Sequence, residues 1–344
     1  MYATVQASER LIAASRSLIG AAGAPATAPG LELLRDQVCA EAGVWAPEAA
    51  ARALRQARGD VGRAVTLVRV WAATLPAHAA EPCDDASVRI TRRVSAAFAD
   101  IPGGQWLGSS PDFDSRLLDW GEADESPAAV LDGAGGAANG DPAGTGAPRR
   151  TALGRVGGLL RAAPGVGVAE PRDPGDGPDP FDEPLGSNPT REARQAALAR
   201  GETGALVALA NVALAGRREA VAGELCVGVA ELCVPHPRSG RPVCVAEVPV
   251  SEATVCGDAE VDGTAGFALG FGISAGRVER RALAAAVIDA TLEAGAPVGG
   301  LAELPALAAV DGLATSGFVD HLRLPHFASF ASYLDRVRNP EGPR

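Results

Sequence analysis

The sequence predicts an α+β fold: a helical N-terminal half, a flexible central linker and a C-terminal half that mixes a β-hairpin with helices. Three observations carry this prediction. From Val5 to about Leu75, apolar residues recur at helical spacing, at Val5, Leu11, Ile12 and Leu18 and again at Leu31, Leu34 and Val38. Two strand-like runs, Glu224–Val234 and Val243–Val250, flank the turn sequence HPRSGRP and read as a hairpin. Helices come first and strands later, without the strand–helix alternation of a doubly wound sheet.

The elements divide into three segments. Residues 1–120 read as a helical domain that carries the sequence DIPGGQ. Within it, EAGVWAPEAAARALRQARGDVGRAVTLV places a Gly-containing loop before a short helix, and the Gly-Asp pair restarts a second helix. This string resembles a ubiquitin-associated-type three-helix module, and an ordinary helical hairpin inside a larger domain is the simpler reading. Residues 121–189 form a Gly/Pro/Asp-rich linker, interrupted by one short amphipathic helix over Thr151–Ala162. Residues 190–344 read as an α+β domain. Helices are expected over Thr190–Arg200 and Thr203–Ala215, followed by the hairpin and a third strand over Ala265–Ile273. A long helix follows over Arg277–Ala294, for which Ser274 is the expected cap. The chain then passes through the HLRLPH loop to a terminal amphipathic helix.

Charge and composition narrow the chemistry. All 31 basic residues are Arg, set against 42 acidic residues, for a formal charge of -11. A chain without Lys has no P-loop lysine, no protein-kinase strand lysine and no Schiff-base lysine for pyridoxal phosphate. An acidic chain without a basic stripe is a poor partner for long nucleic acid, so any phosphate recognition falls to local Arg clusters and backbone N–H groups. The six Cys, at positions 39, 83, 226, 233, 244 and 256, form no CxxC pair. They read as reduced, mostly buried thiols of a cytoplasmic protein, and an iron–sulfur cluster held by this chain alone is not expected. The N-terminus shows no secretory pattern, and no apolar run approaches the ~18 residues of a membrane span.

Three segments carry candidate chemistry. The first, Arg89–Trp120, offers Arg89, Arg92 and Arg93 on one expected helical segment, then the turn Pro102-Gly103-Gly104, then Asp112, Asp114, Arg116 and Asp119. A Gly-Gly turn lets backbone N–H groups approach a phosphate closely while Arg supplies bidentate donors. Carboxylates such as Asp112 or Asp114 suit positive charge developing at a ribose carbon. A solvated helix face followed by a Gly turn is the plainer alternative. The second, Ser316–Phe327, holds two of the four His, His321 and His326, on either side of Pro325. On a straight helix they would diverge by about 140°, but a proline bend lets both imidazoles face one ion. The third, Gly266–Ala290, has Gly270, Gly272 and Gly276 at a strand-to-helix junction. Its spacing is GxGxxxG with no βαβ unit, which leaves an anion at the helix start or simple close packing.

Taken together, MYATVQ at the start, RRVSAAFADIPGGQWLG with DFDSRLLDW, LARGETG, and SGFVDHLRLPHF resemble the PhnI family, the I subunit of the bacterial carbon–phosphorus lyase core complex. These blocks follow the family's order and span nearly the whole chain. The resemblance implies a ribose 1-methylphosphonate 5-triphosphate synthase subunit of transferase or nucleosidase type, active in phosphonate catabolism. It works with PhnG, PhnH and PhnL, and exchanges the adenine of ATP for a phosphonate oxygen of methylphosphonate. Alone, the family acts as a purine nucleosidase. The resemblance further implies an assembly with paired copies of its subunits, in which PhnJ carries the iron–sulfur chemistry. His321 and His326 correspond to the family's histidine ligands for a zinc shared with PhnJ. On this reading Arg92, Arg93, Gly103, Gly104 and Arg116 lie near the triphosphate, and Asp112 or Asp114 lies near the ribose.

The chain departs from the family pattern at several polar positions. It has AGFALGFG in place of TRGYGLVFG, SEATVCGDAE in place of a Glu-Cys-Glu block, and Asp311-Gly312-Leu313-Ala314 ahead of the histidine loop. These losses also fit a catalytically weakened scaffold that docks PhnJ and supplies zinc ligands.

Overall fold

Alternation of apolar and polar residues makes three long strands the centre of the molecule. A computed structural model describes residues 31–76, 88–98, 100–105, 154–169, 189–215, 222–313, 315 and 330–339. Strands β3 (Ala222–Pro235) and β4 (Pro242–Val261) form the expected hairpin, and β5 (Thr264–Ala275) returns antiparallel along β4. With β1 (Val88–Ser95) and β2 (Gly167–Val168) at its edges, the sheet has the order β1-β3-β4-β5-β2. The edge strand β1 is antiparallel to β3, and the two-residue β2 runs parallel to β5. The sheet therefore draws one strand from each of the first two sequence segments. The hairpin's outer arm runs beyond the packed part of the sheet, leaving Val243 and Val245 exposed.

The segment bearing Arg89, Arg92 and Arg93 is a strand, which corrects the helical expectation. VRITRRVS places branched residues at alternate positions, and Val88 and Ile90 bury against Cys226, Ala230, Val248 and Val250 of the neighbouring strands. A register shift between Ile90 and Arg92 lets the two adjacent arginines both enter buried environments.

Helices cover both faces of the sheet. Helix α7 (Glu279–Glu293) lies on β4 and β5, with Ala282, Ala285, Ala286 and Ala290 in its buried face. Its approach depends on Gly270 and Gly272. A Cβ at Gly270 would sit 2.1 Å from the Ala286 carbonyl oxygen, and one at Gly272 would sit 2.2 Å from that of Ala282. The glycine spacing at this junction is thus a packing device. Helices α5 (Arg191–Ala199), α6 (Thr203–Ala215) and α8 (Glu303–Val310) complete the layer around α7. On the opposite face, the short α4 (Val156–Ala162) packs Val156 against Ile101, Cys256 and Leu269.

Helices α1 (Glu32–Ala42), α2 (Pro47–Gln56) and α3 (Val61–Ala72) bury a core of their own, including Val38, Ala50, Leu54, Ala64 and Val68. This is a three-helix unit where a hairpin was the simpler reading. Asp60 caps α3 by accepting from the Arg63 N–H at 3.0 Å, and Thr190 caps α5 by accepting from the Ala193 N–H at 3.2 Å. Ser274 does not cap α7; its hydroxyl accepts from Arg281 Nε at 3.1 Å. The Asp36 carboxylate instead accepts from the Arg277 N–H at 3.2 Å just ahead of α7, so an acid of the chain itself occupies the place considered for an external anion. The terminal helix α9 spans Phe330–Arg338. None of the described helices is long and apolar enough to cross a membrane. The Gly121–Pro148 stretch lies outside the described residues.

Candidate active site and its arginine networks

Buried charge organises the site. Arg93 is fully buried, and its Nε donates to Glu224 Oε1 at 2.7 Å. Its Nη1 donates to the carbonyls of Pro102 (2.8 Å) and Gly104 (3.2 Å), and its Nη2 donates to that of Gly154 (2.6 Å). One guanidinium therefore pins the Pro102-Gly103-Gly104 turn to the sheet and to the residue that leads into α4. Gly103 and Gly104 take φ of 87° and 78°, which a side chain would strain. The turn itself is exposed. Arg92 is also buried, and its Nε lies 3.0 Å from Glu279 Oε1 in the first turn of α7.

Next along the same face, Arg155 pairs with Glu252, lies 3.6 Å from Glu224 Oε2 and donates to Cys226 Sγ at 2.7 Å. Burial alone would pull the Arg155 guanidinium down, but Glu252, Cys226 and Glu224 outweigh it and push it up. Burial raises the Cys226 thiol to about 11 despite Arg155, so the sulfur stays protonated. Behind β5, Arg191 donates to Asp289 Oδ2 (2.8 Å) and to the Leu269 carbonyl (2.7 Å). Arg194 is fully buried and meets Asp289, Glu293 and Glu303. Burial works against its charge, and the Glu303 hydrogen bond with the three carboxylates reverses that and raises it.

Two clefts open beside these networks. One, of about 240 Å³, is lined by Arg155, Arg161, Arg191, Gly157, Gly158, Thr254 and Phe271 among others, and every charged residue on its wall is an arginine. The other, of about 400 Å³, lies among α1, α3, Arg200, Glu202, Gly312, Leu313 and Thr315. There Arg69 Nη2 donates to the Glu41 carbonyl at 2.6 Å, and its Nη1 lies 3.8 Å from Asp311. Deeper in, Glu41 Oε1 accepts from the Thr203 hydroxyl (2.6 Å) and from Arg281 Nη1 (3.3 Å). Burial lowers the Arg281 guanidinium to about 10, which leaves it charged at neutral pH.

Of the residues singled out from sequence, Arg92, Arg93, Gly103 and Gly104 are described, and the structure joins Arg93 directly to the Gly104 backbone. Asp112, Asp114, Arg116, His321 and His326 lie outside the described residues. No group of three or more His, Cys, Asp or Glu arranged to hold a metal occurs among the described residues. Sequence reading missed Arg155, Arg191, Arg194, Glu224, Glu252 and Asp289. The available signal was an acid embedded in an otherwise apolar run, as in GELCVGV, VSEATV and AVIDAT.

Residues 1–342 match the family model "Bacterial phosphonate metabolism protein (PhnI)". HtxH of Stutzerimonas stutzeri, a candidate C-P lyase subunit by its name, is 34% identical over 98% of this chain and 93% of its own length. Two further relatives are named "Alpha-D-ribose 1-methylphosphonate 5-triphosphate synthase subunit PhnI". The one from Rhizobium meliloti is 32% identical over 98% of this chain and 94% of its own length. The one from Escherichia coli is 34% identical over 90% of this chain and 86% of its own length. With a match from end to end and this level of identity, the chain belongs to the PhnI family of bacterial phosphonate metabolism proteins.

Proposed function

We propose that this chain catalyses the exchange of adenine in ATP for methylphosphonate, giving ribose 1-methylphosphonate 5-triphosphate within a multisubunit carbon–phosphorus lyase assembly. The observation that carries the reading is the family match over residues 1–342, with relatives bearing the synthase name. A phosphonate oxygen attacks C1′ of the ribose as the C1′–N9 bond breaks, and the bond's electron pair leaves with adenine, which takes up a proton. Where water replaces the phosphonate, the same bond cleavage is a purine nucleosidase reaction. Positive charge gathers at C1′ in the transition state, so a carboxylate held beside it accelerates the step. Asp112 or Asp114 fills that role in this proposal, with Arg116 and the Gly103–Gly104 turn at the triphosphate. Arg93 contributes by fixing that surface, since the Glu224 carboxylate and three carbonyls engage most of its donors, and Arg92 contributes by tying β1 to α7 through Glu279.

The proposed partners are PhnG, PhnH and PhnL for this step and PhnJ for the next. The decisive assay incubates the purified chain, alone and with PhnG, PhnH and PhnL, with ATP and methylphosphonate. Adenine release is expected, and its absence in both conditions removes the enzymatic reading. A scaffold role is the second reading, and the commitment of Arg92 and Arg93 to internal ion pairs favours it.

Zinc enters the proposal through His321 and His326, with its remaining ligands supplied by PhnJ. A bound zinc would supply a Lewis-acid centre and a fixed point at the subunit interface. The double replacement His321→Ala/His326→Ala should strip zinc from the assembled complex, as read by metal analysis, while adenine release persists. Undiminished zinc would show that these histidines are not its ligands.

A further inference from the structure

We infer that the arginine-walled cleft beside α4 binds an oligophosphate, the triphosphate tail of the nucleotide substrate. The inference rests on the proposed use of ATP and assigns the tail a place that the sequence motifs did not reach. Arg155, Arg161 and Arg191 supply all the charge on the cleft wall, and Thr254 adds a hydroxyl. The carboxylates that pair with Arg155 and Arg191 do not line the cleft, so they orient the two guanidinia without competing for a ligand there. The buried Arg191 Nε makes no hydrogen bond, its nearest carboxylate oxygen being Glu293 Oε1 at 3.9 Å. Arg161 is exposed and has no ion-pair or hydrogen-bond partner among the described residues, so its charge is available to an incoming anion.

Size and position agree with this assignment. A volume of about 240 Å³ lies below that of pockets enclosing a whole drug-sized ligand and suits a polyphosphate tail. Gly158 borders the cleft, and a Cβ built there would meet nothing within 4 Å, so the wall stays open at that point. The Gly103–Gly104 turn is anchored to the same region, because Arg93 bonds both the Gly104 carbonyl and that of Gly154, the residue preceding Arg155. The cleft thus takes the outer phosphates, and the Gly103–Gly104 turn stays available to the phosphate nearest the ribose.

The test titrates the full-length chain with tripolyphosphate, ATP and adenosine by calorimetry. The variants are Arg161→Glu and Gly158→Asp, with Arg238→Glu on the exposed hairpin turn as a control. Neither test position carries internal packing, so neither variant should melt below the parent. Tripolyphosphate and ATP should bind the parent and the control alike and weaken about tenfold to hundredfold in each test variant. Adenosine, lacking phosphates, should not discriminate among them. No binding of tripolyphosphate by the parent, or equal binding by both test variants, overturns the inference. A chain that binds tripolyphosphate in this pattern yet releases no adenine with its partners would retain the site and lose the proposed reaction. Adenine release with an unchanged KM for ATP in both variants would do the reverse.

Discussion

At the scale of single residues, the Arg93–Glu224 ion pair carries a large expected effect on stability. Both side chains are fully buried, and the pair bridges β1 to β3 while tying the Pro102–Gly104 turn. Arg93→Met leaves Glu224 charged in the interior, next to an Arg155 that Glu252 already engages. The expected cost is about 3–5 kcal/mol, read as a lower denaturant midpoint. Adding Glu224→Gln to that variant should recover part of the loss, and simple additivity of the two changes would refute direct coupling. Legibility at this scale was uneven. Arg93 and the Gly103–Gly104 turn were visible as a basic cluster before a Gly pair, and the structure joins them. Their expected relation was inverted, because the guanidinium donates inward to carbonyls of the turn. Residue types announce hydrogen-bonding capacity, whereas burial decides where that capacity is spent.

At the scale of elements, most expected helices and strands occur among the described residues, and the misreading fell on β1. The β3–β4 hairpin, β5, α6 and α7 follow from apolar runs between clear turn residues, although β4 continues past its expected end at Val250 to Val261. The strand β1 was misread because three arginines within eight residues mask its alternation, and only the partner strand reveals the buried face. Gly270 and Gly272 were ambiguous in sequence between ligand approach and helix packing, and the position of α7 decides for packing. Gly270→Ala should therefore destabilise by about 1–3 kcal/mol or more, since its Cβ would collide with a helix backbone. Gly158→Ala, within α4 and facing open space, should stabilise by about 0.5–1 kcal/mol. Thermal melts of the two variants should move in opposite directions; a Gly270→Ala variant that melts at or above the parent would contradict the packing of α7 on β5.

At the scale of the whole molecule, the α+β class was legible from element order, but the extent of the sheet was not. Pairing between β1 and β3 depends on tertiary contacts that no local window contains. The buried thiols give this architecture a pH limit. Burial raises Cys39, Cys226 and Cys256 to about 11 from an ordinary 9.0. The folded state thus holds these protons more tightly than the unfolded chain. Their contribution to stability is complete below pH 9, and it is lost as pH rises from there through 11. The melting temperature should fall across that window, and a triple Cys→Ala variant should show a shallower fall. In the native state at pH 8, a thiol reagent should modify the exposed Cys244 well before these three.

The pairing of β1 with β3 also sets a schedule for synthesis. Arg93 and its partner Glu224 are 131 positions apart in the chain. At bacterial elongation rates of about 5–20 residues per second, roughly 7 to 26 s separate the emergence of the two. The three-helix unit, complete by Ala72 and with its own core, can fold within that interval. The strand that follows it cannot, because its partner does not yet exist. During each round of translation the nascent chain therefore carries a helical unit with its own core ahead of an unpaired, arginine-bearing strand, and that strand is the segment a ribosome-associated chaperone would have most reason to hold.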